Sequence, residues 1–243
     1  MNSEKNLKDN KQKKNKKYGN FYYDFVKVTG ALPVLLWMRP KILRPYGKKK
    51  LKGGVLISAN HRSYLDPIIV HCAFSGRRLH SLATKDLFNT KLKSAFFNRM
   101  HCIEVDKDNF TLSAFHEIVT RLKDGKAVVI FPEGQINTSQ NANSLLTFKS
   151  GAALMAHKSA APILPVYIVK REKWYQRQRI VVGEPVDIRA MVGDTPTMAD
   201  FSRVSEYLRD KEMELMEYYE GWRNRKNKTI EDATSKERQE IKQ

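Results

Sequence analysis

Eight consecutive residues, Asn60-His61-Arg62-Ser63-Tyr64-Leu65-Asp66-Pro67, carry the densest chemistry in this chain of 243 residues. A histidine that gives one ring nitrogen to a carboxylate has a fixed tautomer and a free second nitrogen, which is how a general base is built. On one continuous helix the five-residue spacing would set His61 and Asp66 about 140° apart, and they could not touch. A strand-to-helix loop that doubles back lets Asp66 reach the imidazole and leaves the nucleophile to the substrate. The same residues also read as an ordinary helix start. Asp66 and Pro67 would then be N-cap and first-turn residues, or Ser63 the cap with Asp66 in the first turn, and His61 a histidine without a special role.

The elements that must position this loop are legible around it. Val55-Leu56-Ile57-Ser58-Ala59 precedes it as a buried strand, and Ile68-Ile69-Val70 follows as helix. Further apolar runs at residues 79–83, 102–105, 127–131, 163–169 and 180–182 read as strands. Phe110, Ala114, Phe115, Ile118, Val119 and Leu122 form a helical stripe that Gly125 closes. Residues 145–157 read as another helix. Thr197 opens a long one, with Asp200 as its capping-box partner and a face through Phe201, Val204, Leu208, Leu215, Tyr219 and Trp222. Strands alternating with helices predict an α/β fold: a single domain with a central, mostly parallel mixed sheet flanked by helices.

Residues 21–38 are aromatic and aliphatic and contain Pro33, which predicts two short helices, an N-terminal helical hairpin, before the sheet domain. Lys27, Arg39, Lys41 and Arg44 flank the apolar residues. That composition suits a helix lying in a membrane interface, and equally a cover over the core. The expected division is a disordered basic tail over residues 1–20, interface helices over 21–44, the catalytic domain over 45–222 and a polar tail over 223–243.

Three more segments give the histidine loop a context. Phe131-Pro132-Glu133-Gly134 closes a strand, Ile103-Glu104-Val105-Asp106-Lys107 ends another in a charged turn, and Ala161-Pro162-Ile163-Leu164-Pro165-Val166 opens a further one. In this order they resemble the four motif blocks of the glycerolipid acyltransferases, specifically the 1-acyl-sn-glycerol-3-phosphate acyltransferases. Ala83-Thr84-Lys85-Asp86-Leu87-Phe88 and Phe148-Lys149-Ser150-Gly151-Ala152 resemble the segments that accompany those blocks, and the likeness covers residues 46–185.

The resemblance implies that His61 is the general base and Asp66 its orienting partner. His61 would take the proton from the free hydroxyl of a lysophospholipid, which attacks an acyl thioester carried by coenzyme A or acyl carrier protein. The first candidate acceptor is 1-acyl-sn-glycerol-3-phosphate, giving phosphatidic acid. Asn60, Arg62, Lys85, Lys107, Glu133, Gly134 and Lys149 would bind substrate, and no cofactor or metal is implied. The sequence departs from the family where Gln135-Ile136-Asn137 replaces Thr-Arg-Ser and Lys107 replaces an arginine. Ile136 cannot hold phosphate and lysine is a point charge rather than a fork, so another lysophospholipid or lipid hydroxyl is the alternative acceptor.

Composition narrows the remaining classes. Apolar residues make up 41% of the chain, which excludes a disordered protein. Two cysteines, Cys72 and Cys102, cannot form a disulfide framework and read as packing residues. No apolar stretch reaches the ~18–20 residues of a membrane-spanning helix. A lysine-rich start in place of a signal peptide gives the expectation of a peripheral or monotopic protein on the cytoplasmic face of a membrane. The net charge of +18 suits an anionic membrane surface, an acidic carrier and coenzyme A. Nucleic acid would exploit the same charge, but zinc-finger spacing, an RNP-type strand and a glycine-rich phosphate loop are all missing from the sequence, so no specific nucleic acid is expected. Six histidines without a His-Glu-x-x-His pattern argue against a metal hydrolase. A non-catalytic lipid-binding module is the remaining alternative.

Overall fold

The computed structural model describes residues 20–49, 51–106, 110–139 and 144–240, so the basic tail expected over residues 1–20 lies outside them save for Asn20, as does Lys107. The six apolar runs become six strands of one seven-stranded sheet: β2 (Val55–Ala59), β3 (Leu79–Thr84), β4 (Ile103–Val105), β5 (Ala127–Ile130), β6 (Ile163–Ile168) and β7 (Arg179–Val182). The seventh, β1 (Lys41–Leu43), is a three-residue edge strand with only Leu43 buried, too short to leave a pattern in the sequence. Strand order is β1-β7-β6-β2-β5-β3-β4, and every neighbouring pair is parallel except β6 and β7.

β2 sits at the centre, with Ser58 level with Ile130 of β5 and Pro165 of β6. All five of its residues are buried, as a strand covered on both faces requires. The helices are α1 (Asn20–Met38), α2 (Asp66–Ala73), α3 (Lys91–Arg99), α4 (Leu112–Lys123), α5 (Gly151–Ser159), α6 (Ile188–Val192) and α7 (Met198–Glu240). Leu56, Val128 and Ile163 pack on one side of the sheet with Ile118, Ala153 and Leu208 of α4, α5 and α7. Ile57, Val129 and Val166 pack on the other with Met38, Ile69 and Val70 of α1 and α2. The result is a three-layer α/β domain.

Three expectations are corrected. The N-terminal hairpin is one helix, α1, with Pro33 inside it. The proline removes one backbone donor, but Tyr23 and Met38, each 1% exposed, anchor the helix near both ends and hold it continuous. Residues 145–149 are not helical and α5 starts only at Gly151, because Leu146 and Lys149 use their N–H groups on Glu133 and on the Pro132 carbonyl. The polar tail from residue 223 continues α7 as helix to Glu240, where the residues after Gly221 include no further glycine or proline to stop it. At its other end α7 has the anticipated capping box: Asp200 accepts from the Thr197 N–H at 2.7 Å, and its own N–H donates to Thr197 Oγ1 at 3.3 Å. α3 and α6 were not legible, since α3 buries no residue and α6 has five.

Candidate active site

The chain leaves β2 at Ala59 and doubles back before α2, and the turn is set by one carboxylate oxygen. Asp66 Oδ2 accepts from the Arg62 N–H at 2.6 Å and the Ser63 N–H at 2.7 Å. It also lies 2.9 Å from His61 Nδ1. A carboxylate oxygen already taking two donors requires a third donor, which assigns the proton to Nδ1 and leaves Nε2 with a free lone pair. Asp66 is 2% exposed, whereas the His61 side chain keeps 17% of its surface open. The helix-start reading is therefore settled in a particular way: Asp66 opens α2, but its carboxylate turns back onto the loop instead of capping the helix.

β5 lies beside β2 and brings Phe131-Pro132-Glu133-Gly134 to the same sheet edge. Phe131 stacks on the imidazole with ring centres 4.2 Å apart, so the ring is held on one face as well as through Nδ1. Glu133 is buried, and its two oxygens accept from the His61 N–H at 2.9 Å and the Leu146 N–H at 3.0 Å. Asn60 is wholly buried, and its amide pairs with both backbone groups of Ile168 at the end of β6. Asn60 and Glu133, expected at the substrate, make internal bonds here that position the histidine loop. Arg62 donates to the carbonyls of Ser139 and Ser144, bracing the segment after Gly134. Phe131 and Asn137, whose N–H donates to the His61 carbonyl at 2.7 Å, were not singled out for the site, although both adjoin the Glu-Gly motif.

Lys149 and Lys85 are exposed at this edge, Lys85 just after β3 and Lys149 against Gly134. Gly134 has φ of +70°, and a Cβ there would stand 2.7 Å from Lys149 Cε and Nζ. Gly134→Ala is expected to keep the fold at a cost of about 1–2 kcal/mol for the left-handed backbone, while pushing the ammonium off the turn. KM for an anionic acceptor should rise about two- to fivefold, the worth of one exposed charge contact, with kcat held. Steady-state kinetics beside thermal melts check this.

Beneath the loop, Ser58 donates to Glu212 of α7 at 2.8 Å. Glu212 is wholly buried, and its other oxygen has no hydrogen-bond partner among the described residues. Burial pushes this carboxyl well above the usual range, with the Glu133 charge adding to the effect and the Ser58 bond opposing it. Its contribution to stability is full below the ordinary glutamate value and drains away as pH rises from there towards the raised folded value, because the unfolded chain releases the proton first. Glu212→Gln should flatten that slope, melting above the wild type at pH 8 and losing the advantage towards pH 5. Each kcal/mol corresponds to about 2–4 °C. The signal for Glu212 was a carboxylate interrupting the apolar face between Leu208 and Leu215. The cysteines serve packing: Cys72 is buried, and burial pushes the Cys102 thiol up to about 12.

A family model described as Acyltransferase matches residues 40–169, a span that includes the histidine loop, the Glu-Gly turn and Lys149. The chain is 27% identical over 192 residues to the 1-acyl-sn-glycerol-3-phosphate acyltransferase of Bacillus subtilis, covering 76% of this chain and 93% of that one. It is 30% identical over 152 residues to a probable 1-acyl-sn-glycerol-3-phosphate acyltransferase of Mycoplasma genitalium, covering 60% and 55%. The crystal structure of the 1-acyl-sn-glycerophosphate acyltransferase PlsC from Thermotoga maritima shares the fold. Its TM-score is 0.56 at 19% identity, over 78% of this chain and 76% of that one.

Proposed function

The chain belongs to the acyltransferase family, and from that premise we propose that it moves a fatty acyl group from an acyl thioester to the free hydroxyl of a lysophospholipid. Names of the relatives favour 1-acyl-sn-glycerol-3-phosphate as acceptor and phosphatidic acid as product. The single observation that carries the mechanism is the 2.9 Å contact between His61 Nδ1 and Asp66, with Nε2 left free.

Nε2 takes the proton of the acceptor hydroxyl as its oxygen attacks the thioester carbonyl carbon. The tetrahedral oxyanion collapses, the carbon–sulfur bond breaks, and the leaving sulfur takes the proton from Nε2 and departs as a thiol, which restores the neutral imidazole. Nothing becomes covalently attached to the protein. Asp66 stabilises the imidazolium formed on the way and fixes which nitrogen faces substrate. Lys85 and Lys149 supply positive charge for an acceptor phosphate on the β5 and β3 side of the dyad, with Lys107 after β4 in the same role. In place of the missing arginine at Ile136, these lysines recognise phosphate by charge rather than by a bidentate fork.

The acceptor and acyl chain reach this site from a membrane surface. Phe21, Phe25, Val28, Leu32 and Leu36 recur every three or four residues along α1 and are 55–81% exposed, so one whole stripe of the helix presents apolar side chains outward. Among the described residues no helix is long and apolar enough to cross a membrane. A helix of this kind lies in the interface instead.

Purified protein incubated with labelled acyl-coenzyme A or acyl carrier protein and a panel of lysophospholipids tests the reading. Diacyl product is expected, highest with the phosphate-headed acceptor. Binding of lipid without turnover on any acceptor would replace it with the non-catalytic module.

A further inference from the structure

The sheet edge that carries His61 also holds a cleft on the side away from Glu133. β7 begins there with Arg179, which pairs in register with Lys41 at the start of β1, while β6 ends there at Ile168. β7 lies two strand spacings from β2, about 10 Å along the edge. The cleft measures about 330 Å³, within the range of small-molecule sites. Six cations line it: Lys170, Arg171, Arg177, Arg179, Arg223 and Lys226. Glu172 is the one carboxylate among the described lining residues, and it faces Arg223 at 3.4 Å.

An aromatic pair completes the wall, Tyr219 stacked on Trp222 with centroids 5.9 Å apart. Lys41, Arg179 and Lys226 all approach the Trp222 ring, at 4.8 to 5.6 Å from its centre. Like charges gathered on one half-buried indole repel each other, and a bound polyanion relieves that repulsion. Arg179 adds a second sign of an absent partner: its Nε is buried with no hydrogen-bond acceptor among the described residues. Neither the dyad nor the lysines beside Gly134 use any of these residues.

We propose that this cleft takes the phosphorylated nucleotide end of coenzyme A, so that it is the donor subsite of the acyl transfer; the assignment rests on the reading given above. The chemistry matches on both counts, phosphates against the cations and an adenine ring against Trp222. Lys170 and Arg171 also line a second cleft whose wall includes Arg62 and Asp66, so the two clefts adjoin on the side of the histidine loop, the direction the pantetheine arm must take. The two anionic substrates are then gripped on opposite sides of His61, the acceptor by the β5 side and the donor by the β6 and β7 side. A concave site with an aromatic wall fits a nucleotide better than the convex surface of an acidic carrier protein.

Coenzyme A titrated against Trp fluorescence tests the site. A quench is expected in wild type and in His61→Ala, and its loss in Trp222→Phe. Lys170 and Lys226 are exposed, so the double variant K170E/K226E keeps the fold. It should weaken coenzyme A at least ~10-fold and raise KM for acyl-coenzyme A to match, with kcat and the acceptor KM within about twofold. Unchanged coenzyme A affinity in the double variant would overturn the proposal. So would equal affinity for inorganic phosphate, a defect confined to anionic vesicles, or use of an acyl carrier protein with no coenzyme A bound. Coenzyme A binding that the double variant loses, in a wild type that transfers no acyl group, would uphold the cleft and overturn only the acyl-transfer reading.

Discussion

His61→Ala is expected to lower kcat/KM by ~10²–10⁴, the range that a positioned general base supplies, with little loss of stability. The imidazole contributes packing on Phe131 and one bond to Asp66, whereas the backbone of residue 61 keeps its bonds to Glu133 and Asn137 in the variant. Asp66→Asn separates orientation from basicity. Three donors converge on Oδ2; an amide oxygen in its place would accept from them only as a weaker, uncharged group, and an amide nitrogen there would face donors. His61 then loses its fixed tautomer, and kcat should fall by ~10² or more, towards the ~10⁴ seen when a triad loses its orienting carboxylate. Asp66→Ala adds a structural penalty of about 1–3 kcal/mol for each backbone N–H left without a partner. Labelled-acyl assays beside thermal melts distinguish the three variants. Full activity in Asp66→Asn would remove the orienting role.

Glu133→Gln carries the second large effect, and it is a positioning effect. Each oxygen of Glu133 holds one backbone N–H, one from the histidine loop and one from residue 146. Glutamine offers a single acceptor, so one N–H must face an NH₂ group. A loss of about 1–3 kcal/mol follows, several degrees in Tm. The histidine loop is tied to that contact, and a 1 Å shift of a catalytic group costs ~10²-fold. The expected result is therefore a fall in kcat of ~10–10² with the acceptor KM nearly held. A rise in acceptor KM alone would instead return Glu133 to substrate contact.

How far the sequence foretold the site follows from how local each contact is. The strands were readable because a strand buried on both faces needs a short, nearly continuous apolar run, as in Ala127 to Ile130. The residue pattern alone leaves the pairing of His61 with Asp66 open beside an ordinary helix start, since a five-residue spacing touches only if the backbone folds back. That fold depends on two backbone N–H groups meeting Oδ2, which no residue pattern encodes. Asn60 and Glu133 were recognisable as part of a motif, yet their partners lie at Ile168 and Leu146, distant in the chain, so motif membership could not distinguish a ligand contact from a brace. The same holds for residues 145–149, where apolar spacing suggested helix but tertiary hydrogen bonds to Glu133 and Pro132 claimed the backbone. Pro33 marked a break that packing at Tyr23 and Met38 overrode.

The central place of β2 has a consequence for how the protein fails. Its amides are bonded along both edges, to β5 and β6, and Asn60 extends the second of these ladders by one more residue. Amide protons at 56–59 are therefore expected to exchange with deuterium only through openings close in free energy to global unfolding. Because His61 follows that strand directly and is bonded to Glu133 after β5, heat or denaturant is expected to remove activity and tertiary structure in one transition, which activity and near-UV signals followed on one sample would check.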